Sequence, residues 1–126
     1  MARHNDAVYV RDMAKAVDKI LHRLHGVTLA AFEADDLLAD ATIRQLEIVG
    51  EAAAHVSDAF RESHPTIDWR GMKDLRNVLI HGYAEVNLRQ VWGITQREIP
   101  KPAQYFTTLL QESSNKTETE DGREPG

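Results

Sequence analysis

The sequence has no cysteine, so disulfides, thiolate zinc sites and cysteine nucleophiles are excluded. No apolar run approaches the roughly 18 residues that a membrane helix requires, and charges interrupt the opening stretch MARHNDAVYVRD before any apolar run of signal-peptide length. Glycine-rich phosphate loops, zinc-type ligand spacings and internal repeats are also missing. These absences predict a cytoplasmic protein with no membrane partner and no metal site.

Positive charge is scarce as well. The net charge of −5 argues against the broad basic surface with which proteins grip duplex DNA, so DNA is not an expected partner. The charge is uneven, because residues 61–111 hold seven Lys/Arg against five Asp/Glu, whereas the segments on either side are both acidic. Any anion site should therefore be a small pocket formed by this middle part of the chain.

The first half of the chain has the apolar periodicity of amphipathic helices. Asn5 is the expected N-cap of a first helix that ends before Gly26. The stretch VTLAAFEADD predicts a short helical turn, and Asp35 or Asp36 can cap a long helix that runs to about Glu62. Small residues in GEAAAHVSDA would let another helix approach this long helix closely.

Two further helices are predicted in the second half. Pro65 breaks the pattern, and a third helix is expected over residues 68–81, with Gly82 in the left-handed position just after its end. Asn87 is the expected cap of a fourth helix that continues to Ile99, where two prolines interrupt or restart it.

No segment alternates with period two between turn signals, so the predicted fold is all-α, an antiparallel bundle of four main helices with short loops. At 126 residues with 42% hydrophobic content, the chain suits one domain with a single core. Residues 113–126 contain no apolar side chain and are predicted to form an acidic, disordered tail, which leaves residues 1–112 as the domain.

The stretch RNVLIHGY, residues 76–83, places Arg76, His81 and Tyr83 around the predicted end of the third helix. With ten Arg, six His and three Tyr in the chain, this spacing is expected by chance at a rate of roughly one in a hundred. Arginine and histidine near a helix end also cap carbonyls and complement the helix dipole, so capping alone is the alternative interpretation.

The stretch matches the R-x-x-x-x-H-x-Y signature of HEPN toxins, and the chain resembles the HepT type of this family. LEIVGEAAAHVSD, IDWRGMKDLRNVLIHGY and VNLRQVWGITQREIP resemble successive family helices, and the similarity covers most of residues 6–111. The resemblance implies a metal-independent endoribonuclease toxin of a type VII toxin–antitoxin system, which acts on tRNA or mRNA without a cofactor. It also implies a partner, a minimal nucleotidyltransferase antitoxin of the MntA type.

The residues suit that chemistry. Metal-free RNA cleavage needs a base for the 2′-hydroxyl, an acid for the leaving 5′-oxygen and positive charge on the phosphate. The helix dipole favours a charged imidazole at His81, and the guanidinium of Arg76 can bind phosphate oxygens. One histidine cannot easily serve as both acid and base, and five residues turn a helix by about 140° net. We therefore expect a two-fold homodimer with the site across its interface. The resemblance adds a larger toxin–antitoxin assembly as a further option.

Other polar residues of this segment have predicted roles. Lys73 and Asn77 lie two turns and one turn before His81, respectively, and we expect both to position the substrate. The resemblance implies that the antitoxin AMPylates Tyr83, which would bring bulk and negative charge into an anion site.

Alternatives remain open. The chain could be a non-catalytic nucleotide-binding or scaffolding subunit for a nucleotidyltransferase, or a bundle adaptor whose motif only caps a helix. Glu47 and Glu51 are expected on a solvated helix face, with an ion pair to the motif helix or to a second copy as another option. His55 and His64 are expected at the surface.

Overall fold

The structure is a computed structural model, and it describes residues 5–81, 87–109 and 111, with the backbone alone for Ile80 and His81. Its described residues form seven helices and no strand, which confirms the all-α prediction. They are α1 Asp6–Leu24, α2 Leu29–Ala34, α3 Asp36–His55, α4 Asp58–Ser63, α5 Trp69–His81, α6 Leu88–Arg97 and α7, residues 100–109. No described helix is long and apolar enough to cross a membrane.

The core lies where the sequence periodicity predicts it. α3 is the central helix of the bundle, since both α1 and α5 pack against it. Tyr9, near the start of α1, stacks on His55, the last residue of α3, so these two helices run antiparallel. The largest fully buried side chains include Met13, Ile20, Phe32, Leu46, Ile99 and Phe106.

Several helix ends have the predicted caps. The Asp35 carboxylate accepts a hydrogen bond from the N–H of Leu38 at 3.0 Å, and the Asn87 side chain accepts from two N–H groups of α6. Gly26 follows α1 with a φ of 75°, a left-handed conformation that glycine adopts without strain. Asn5 occupies the N-cap position of α1, but its side chain makes no capping hydrogen bond.

The prediction for the long helix is wrong at its carboxyl-terminal end, which it places at about Glu62. α3 stops at His55, and a separate short helix, α4, begins after Ser57. The Ser57 hydroxyl accepts from the N–H of Phe60 at 3.2 Å and donates to the Asp6 carboxylate at 2.7 Å. Asp6 also accepts from the backbone N–H of Ser57 at 2.8 Å. Apolar spacing continues through this break, whereas the capping hydroxyl and the contact with α1 end the helix.

The predicted fourth helix is also shorter than expected. α6 ends at Arg97, and the chain becomes helical again at Pro100, in agreement with the predicted restart at a proline. The predicted left-handed Gly82 and the predicted tail, residues 113–126, lie outside the described residues.

The first prediction concerns the hydrogen bonds of Ser57. Ser57→Ala should lower the free energy of unfolding by about 1–3 kcal/mol, because it removes the cap of α4 and a charge-assisted hydrogen bond to Asp6. Urea denaturation followed by circular dichroism measures the change. Ser63→Ala is the matched control, since its exposed hydroxyl only donates to the Ala59 carbonyl within α4. Equal stability of the two variants would contradict the assigned role of Ser57.

Candidate functional site

The site is built on α5, whose start is fixed by local hydrogen bonds. Asp68 accepts from the N–H of Gly71 at 3.0 Å, and the indole N–H of Trp69 donates to the His64 carbonyl at 2.9 Å. Apolar side chains at spacings of three and four then face the core, namely Trp69, Met72, Leu75 and Leu79. Because these residues set the rotation of the helix, the polar residues between them must face outward.

Three predicted site residues share the outer face of α5. Lys73, Arg76 and Asn77 are all exposed, and positions three and four apart on a helix are neighbours. Within the described part of the chain, no carboxylate forms an ion pair with Lys73 or Arg76. α5 carries three Lys/Arg and one Asp, so these side chains give the helix a charge of +2.

A glycine of α3 holds the backbone of Arg76 in place. A β-carbon at Gly50 would lie 3.2 Å from the backbone N of Arg76, 3.2 Å from the carbonyl oxygen of Met72 and 3.0 Å from the γ-carbon of Arg76. The two helices therefore touch at this point, as the small residues of α3 predicted. The backbone of Arg76 is fixed by this contact, whereas its guanidinium extends to the exposed face.

His81 is the last residue of α5, and its backbone alone is described. It follows Asn77 by four residues and Arg76 by five, which corresponds to about 7.5 Å along the helix axis from Arg76. The structure thus brings Lys73, Arg76 and Asn77 together. The positions of the His81 side chain and of Tyr83 relative to them lie outside the described residues.

The other side of α5 is unsuited to phosphate. A cavity of about 330 Å³ lies between α5 and α6, with an apolar floor and the carboxylates of Asp68, Asp74 and Glu98 among its lining groups. These carboxylates would repel a phosphodiester. Arg76 lines neither this cavity nor two others formed by described residues. Among the described residues, Lys73, Arg76 and Asn77 are thus exposed residues of one helix face.

The neighbouring surface of α3 is acidic. Glu51 is exposed and Glu47 half-buried, and neither forms an ion pair with a described residue. The predicted option of an ion pair with the motif helix is thus not found within the described part of the chain. No group of three or more His, Asp or Glu side chains among the described residues is arranged to hold a metal ion.

Comparisons with known proteins agree on one family. The model of the family described as "Ribonuclease HepT-like" matches residues 13–109. A protein of Thermococcus cleftensis named "Probable ribonuclease HepT" is 36% identical over 106 residues, which cover 84% of this chain and 94% of that protein. A protein of Caldanaerobacter subterraneus subsp. tengcongensis named "Putative RNase TTE0752" is 32% identical over 103 residues, with 82% and 92% covered. No solved structure gives a significant match.

The second prediction compares two glycine-to-alanine changes. Within a helix, replacing glycine by alanine raises the free energy of unfolding by about 1 kcal/mol. At position 50, however, the new β-carbon meets the backbone of α5, and such overpacking lowers it by about 1–3 kcal/mol. Gly50→Ala should therefore be neutral to destabilising. In Gly93→Ala the new β-carbon meets only the flexible end of the Arg97 side chain, which can move away, so this variant should be more stable than wild type.

Urea denaturation measures both variants, and the expected difference between them is about 1–3 kcal/mol. Equal stabilisation by the two changes would show that α3 and α5 are not in tight contact at Gly50.

Proposed function

The chain belongs to the ribonuclease HepT-like family, and we propose that it is a metal-independent endoribonuclease toxin of a type VII toxin–antitoxin system. Its substrate is RNA, either tRNA or mRNA. The observation that carries the proposal is the exposed polar face of α5, where Arg76, Lys73 and Asn77 lie together without a carboxylate partner among the described residues.

Arg76 is proposed to bind the phosphodiester that is cleaved. Its guanidinium stays charged at every accessible pH and can donate two parallel hydrogen bonds to phosphate oxygens. As negative charge builds up on the pentavalent phosphorus, these bonds stabilise the transition state. Lys73 and Asn77, on adjacent turns of the same exposed face, are proposed to position the flanking phosphate and ribose.

His81 is proposed to transfer protons. A neutral imidazole removes the proton from the 2′-hydroxyl, the resulting alkoxide attacks phosphorus, and a charged imidazole protonates the departing 5′-oxygen. The P–O5′ bond breaks as the P–O2′ bond forms, which leaves a 2′,3′-cyclic phosphate and a free 5′-hydroxyl. The end of α5 favours the charged form of an imidazole through the helix dipole, which suits the acid role.

Two imidazoles in different protonation states imply two copies of the chain. We propose a two-fold homodimer in which the α5 ends of both protomers meet, so that identical residues supply the acid and the base. The exposure of Arg76 supports this arrangement, since its side chain is accessible to a second protomer. A second protomer would convert the exposed face of α5 into one side of a cleft.

Tyr83 is proposed as the point of control. A cognate nucleotidyltransferase antitoxin of the MntA type transfers AMP from ATP to the tyrosine hydroxyl, with release of pyrophosphate. The attached phosphate brings negative charge within two residues of His81, where it competes with the substrate phosphate for Arg76. Modification thereby switches off the ribonuclease.

The third prediction tests the catalytic assignment. Purified wild-type protein incubated with RNA in a chelator should cleave it and leave 2′,3′-cyclic phosphate ends. Arg76→Ala and His81→Ala should each lower the rate at least about 100-fold, because Arg76 stabilises the charge of the transition state and His81 transfers protons. Gel analysis of labelled RNA and mass spectrometry of the product ends measure the outcome.

His25→Ala is the matched control, because His25 is likewise a histidine at a helix end but follows α1, where it is exposed. It should cleave at the wild-type rate. Cleavage that requires added metal, or full activity of a monomer in light scattering, would contradict the mechanism. A protein that binds nucleotide through Arg76 but cleaves no RNA would instead support the alternative function, a nucleotide-binding subunit of a nucleotidyltransferase.

The fourth prediction concerns modification. Co-expression with a cognate nucleotidyltransferase of the MntA type should add whole AMP units to its intact mass and abolish RNA cleavage. Tyr83→Phe should gain no AMP and stay active in the presence of that enzyme. Tyr105→Phe, which alters a half-buried tyrosine of α7, should be modified like wild type. Unchanged AMP addition to Tyr83→Phe would refute the assignment.

A further inference from the structure

A second basic surface lies on α1, away from the motif helix. Arg11, Lys15, Lys19 and Arg23 follow one another at intervals of four residues, and all four are exposed. This spacing places them on one gently winding stripe about 18 Å long. The exposed His22 lies within the same stripe. We refer to these five residues as the α1 stripe.

The α1 stripe carries four Lys/Arg charges, which the two exposed carboxylates of the same helix, Asp12 and Asp18, offset only in part. None of its four Lys/Arg side chains forms an ion pair with a described residue, although Asp12 and Asp18 lie on the same helix. Asp6, the remaining acid of α1, is turned toward Ser57. Because the whole chain has a net charge of −5, this cluster of basic residues differs in sign from the average charge of the protein.

The chemistry of the stripe favours a phosphodiester backbone as its ligand. Regularly spaced lysines and arginines on a rigid helix bind successive phosphates without reading base sequence. An anionic membrane is less suited, because a helix lying in a membrane inserts its apolar face, and the apolar face of α1 is buried in the core of the bundle.

We propose that the α1 stripe is a second RNA-binding surface, which anchors a long substrate while α5 holds the phosphodiester to be cleaved. This inference rests on the proposed ribonuclease function. It extends that function by assigning the substrate class: RNA long enough to contact both helices, recognised by its backbone and not by the few nucleotides at the cleavage site.

The arrangement of the helices sets the length requirement. α1 and α5 both pack against α3, so their axes lie at most two helix-to-helix spacings apart, or about 16–20 Å. α3 carries four Asp/Glu and one Arg, so the surface between the two basic faces repels phosphate. RNA is thus held at two separate anchors. Each anchor raises the effective concentration of RNA at the other.

The fifth prediction uses a variant in which all four charges are removed. Arg11→Gln, Lys15→Gln, Lys19→Gln and Arg23→Gln are combined, since glutamine keeps the helix propensity and most of the side-chain length. The control combines Arg44→Gln, Arg89→Gln, Arg97→Gln and Lys101→Gln, four exposed residues outside both basic faces. Both variants change the net charge equally, and thermal denaturation checks that both are folded.

Binding and cleavage are measured separately. The binding probe is a labelled, fully 2′-O-methylated RNA that reaches both faces and cannot be cleaved, because its 2′-oxygens carry no proton. Fluorescence anisotropy at several salt concentrations gives Kd and its salt dependence. Cleavage is measured on an unmodified RNA of the same sequence and on a dinucleotide, which is too short to reach the α1 stripe from α5.

The stripe variant should bind the long RNA at least about tenfold more weakly, and the slope of log Kd against log salt should fall by about 0.7 for each phosphate that the protein no longer binds. Its KM for long RNA should rise while its kcat stays unchanged, and dinucleotide cleavage should match wild type. The control variant should show much smaller effects on Kd.

Equal losses of affinity in both quadruple variants would overturn the inference and leave the ribonuclease function intact, because net charge alone would then explain binding. Stripe-dependent binding to phosphatidylserine vesicles with no binding to RNA would also overturn it. Wild-type protein that binds the RNA through the stripe but cleaves neither substrate would refute the ribonuclease function while preserving the α1 stripe as an RNA-binding surface.

Discussion

The contact between α3 and α5 at Gly50 is the constraint on which the site depends. A β-carbon at Gly50 would lie only 3.2 Å from backbone atoms of Arg76 and Met72, so α3 and α5 are in close contact at this point. The apolar stripe of α5 sets the rotation of the helix, and the glycine sets its distance from α3. The backbone of Arg76 is therefore closely packed against α3, and a residue held in this way loses less conformational entropy when its side chain binds a ligand.

The helices of this protein differ in the sign of their charged residues. Two helices with basic exposed faces, α1 and α5, lie on either side of an acidic one, α3. The net charge of the whole chain, −5, does not reveal this difference between the helices. A member of the ribonuclease HepT-like family can thus be acidic overall and still carry helices with exposed basic residues.

Much of the fold follows from local sequence signals. The all-α class, the caps at Asp35 and Asn87 and the buried face of α5 are confirmed because each depends on residues within one or two helical turns. The predicted family is likewise confirmed, since its motif is short and continuous. The homodimer, the roles of the site residues and the division into a domain of residues 1–112 and a tail stay predictions.

The features that sequence reasoning missed are non-local. The break at Ser57 depends on Asp6, 51 residues earlier in the chain, and no periodicity reports such a partner. His64 was expected at the surface but is half-buried, stacked on Phe60 at 4.0 Å with Tyr105 edge-on to its ring. The small residues of α3 signalled a close helix contact, whereas the identity of Arg76 as the neighbour of Gly50 required the structure.

The hydrogen bonds between Asp6 and Ser57 also bear on how the chain folds. They join the first turn of α1 to Ser57, between α3 and α4, and so close a loop of about 50 residues. The entropic cost of closing such a loop is on the order of 3 kcal/mol. Two hydrogen bonds to a carboxylate contribute free energy of about this size, and the packing of α1 on α3 stabilises the closed loop further. The two hydrogen bonds connect the first turn of α1 to the residues that follow α3, and so they oppose fraying of the amino-terminal turn of α1.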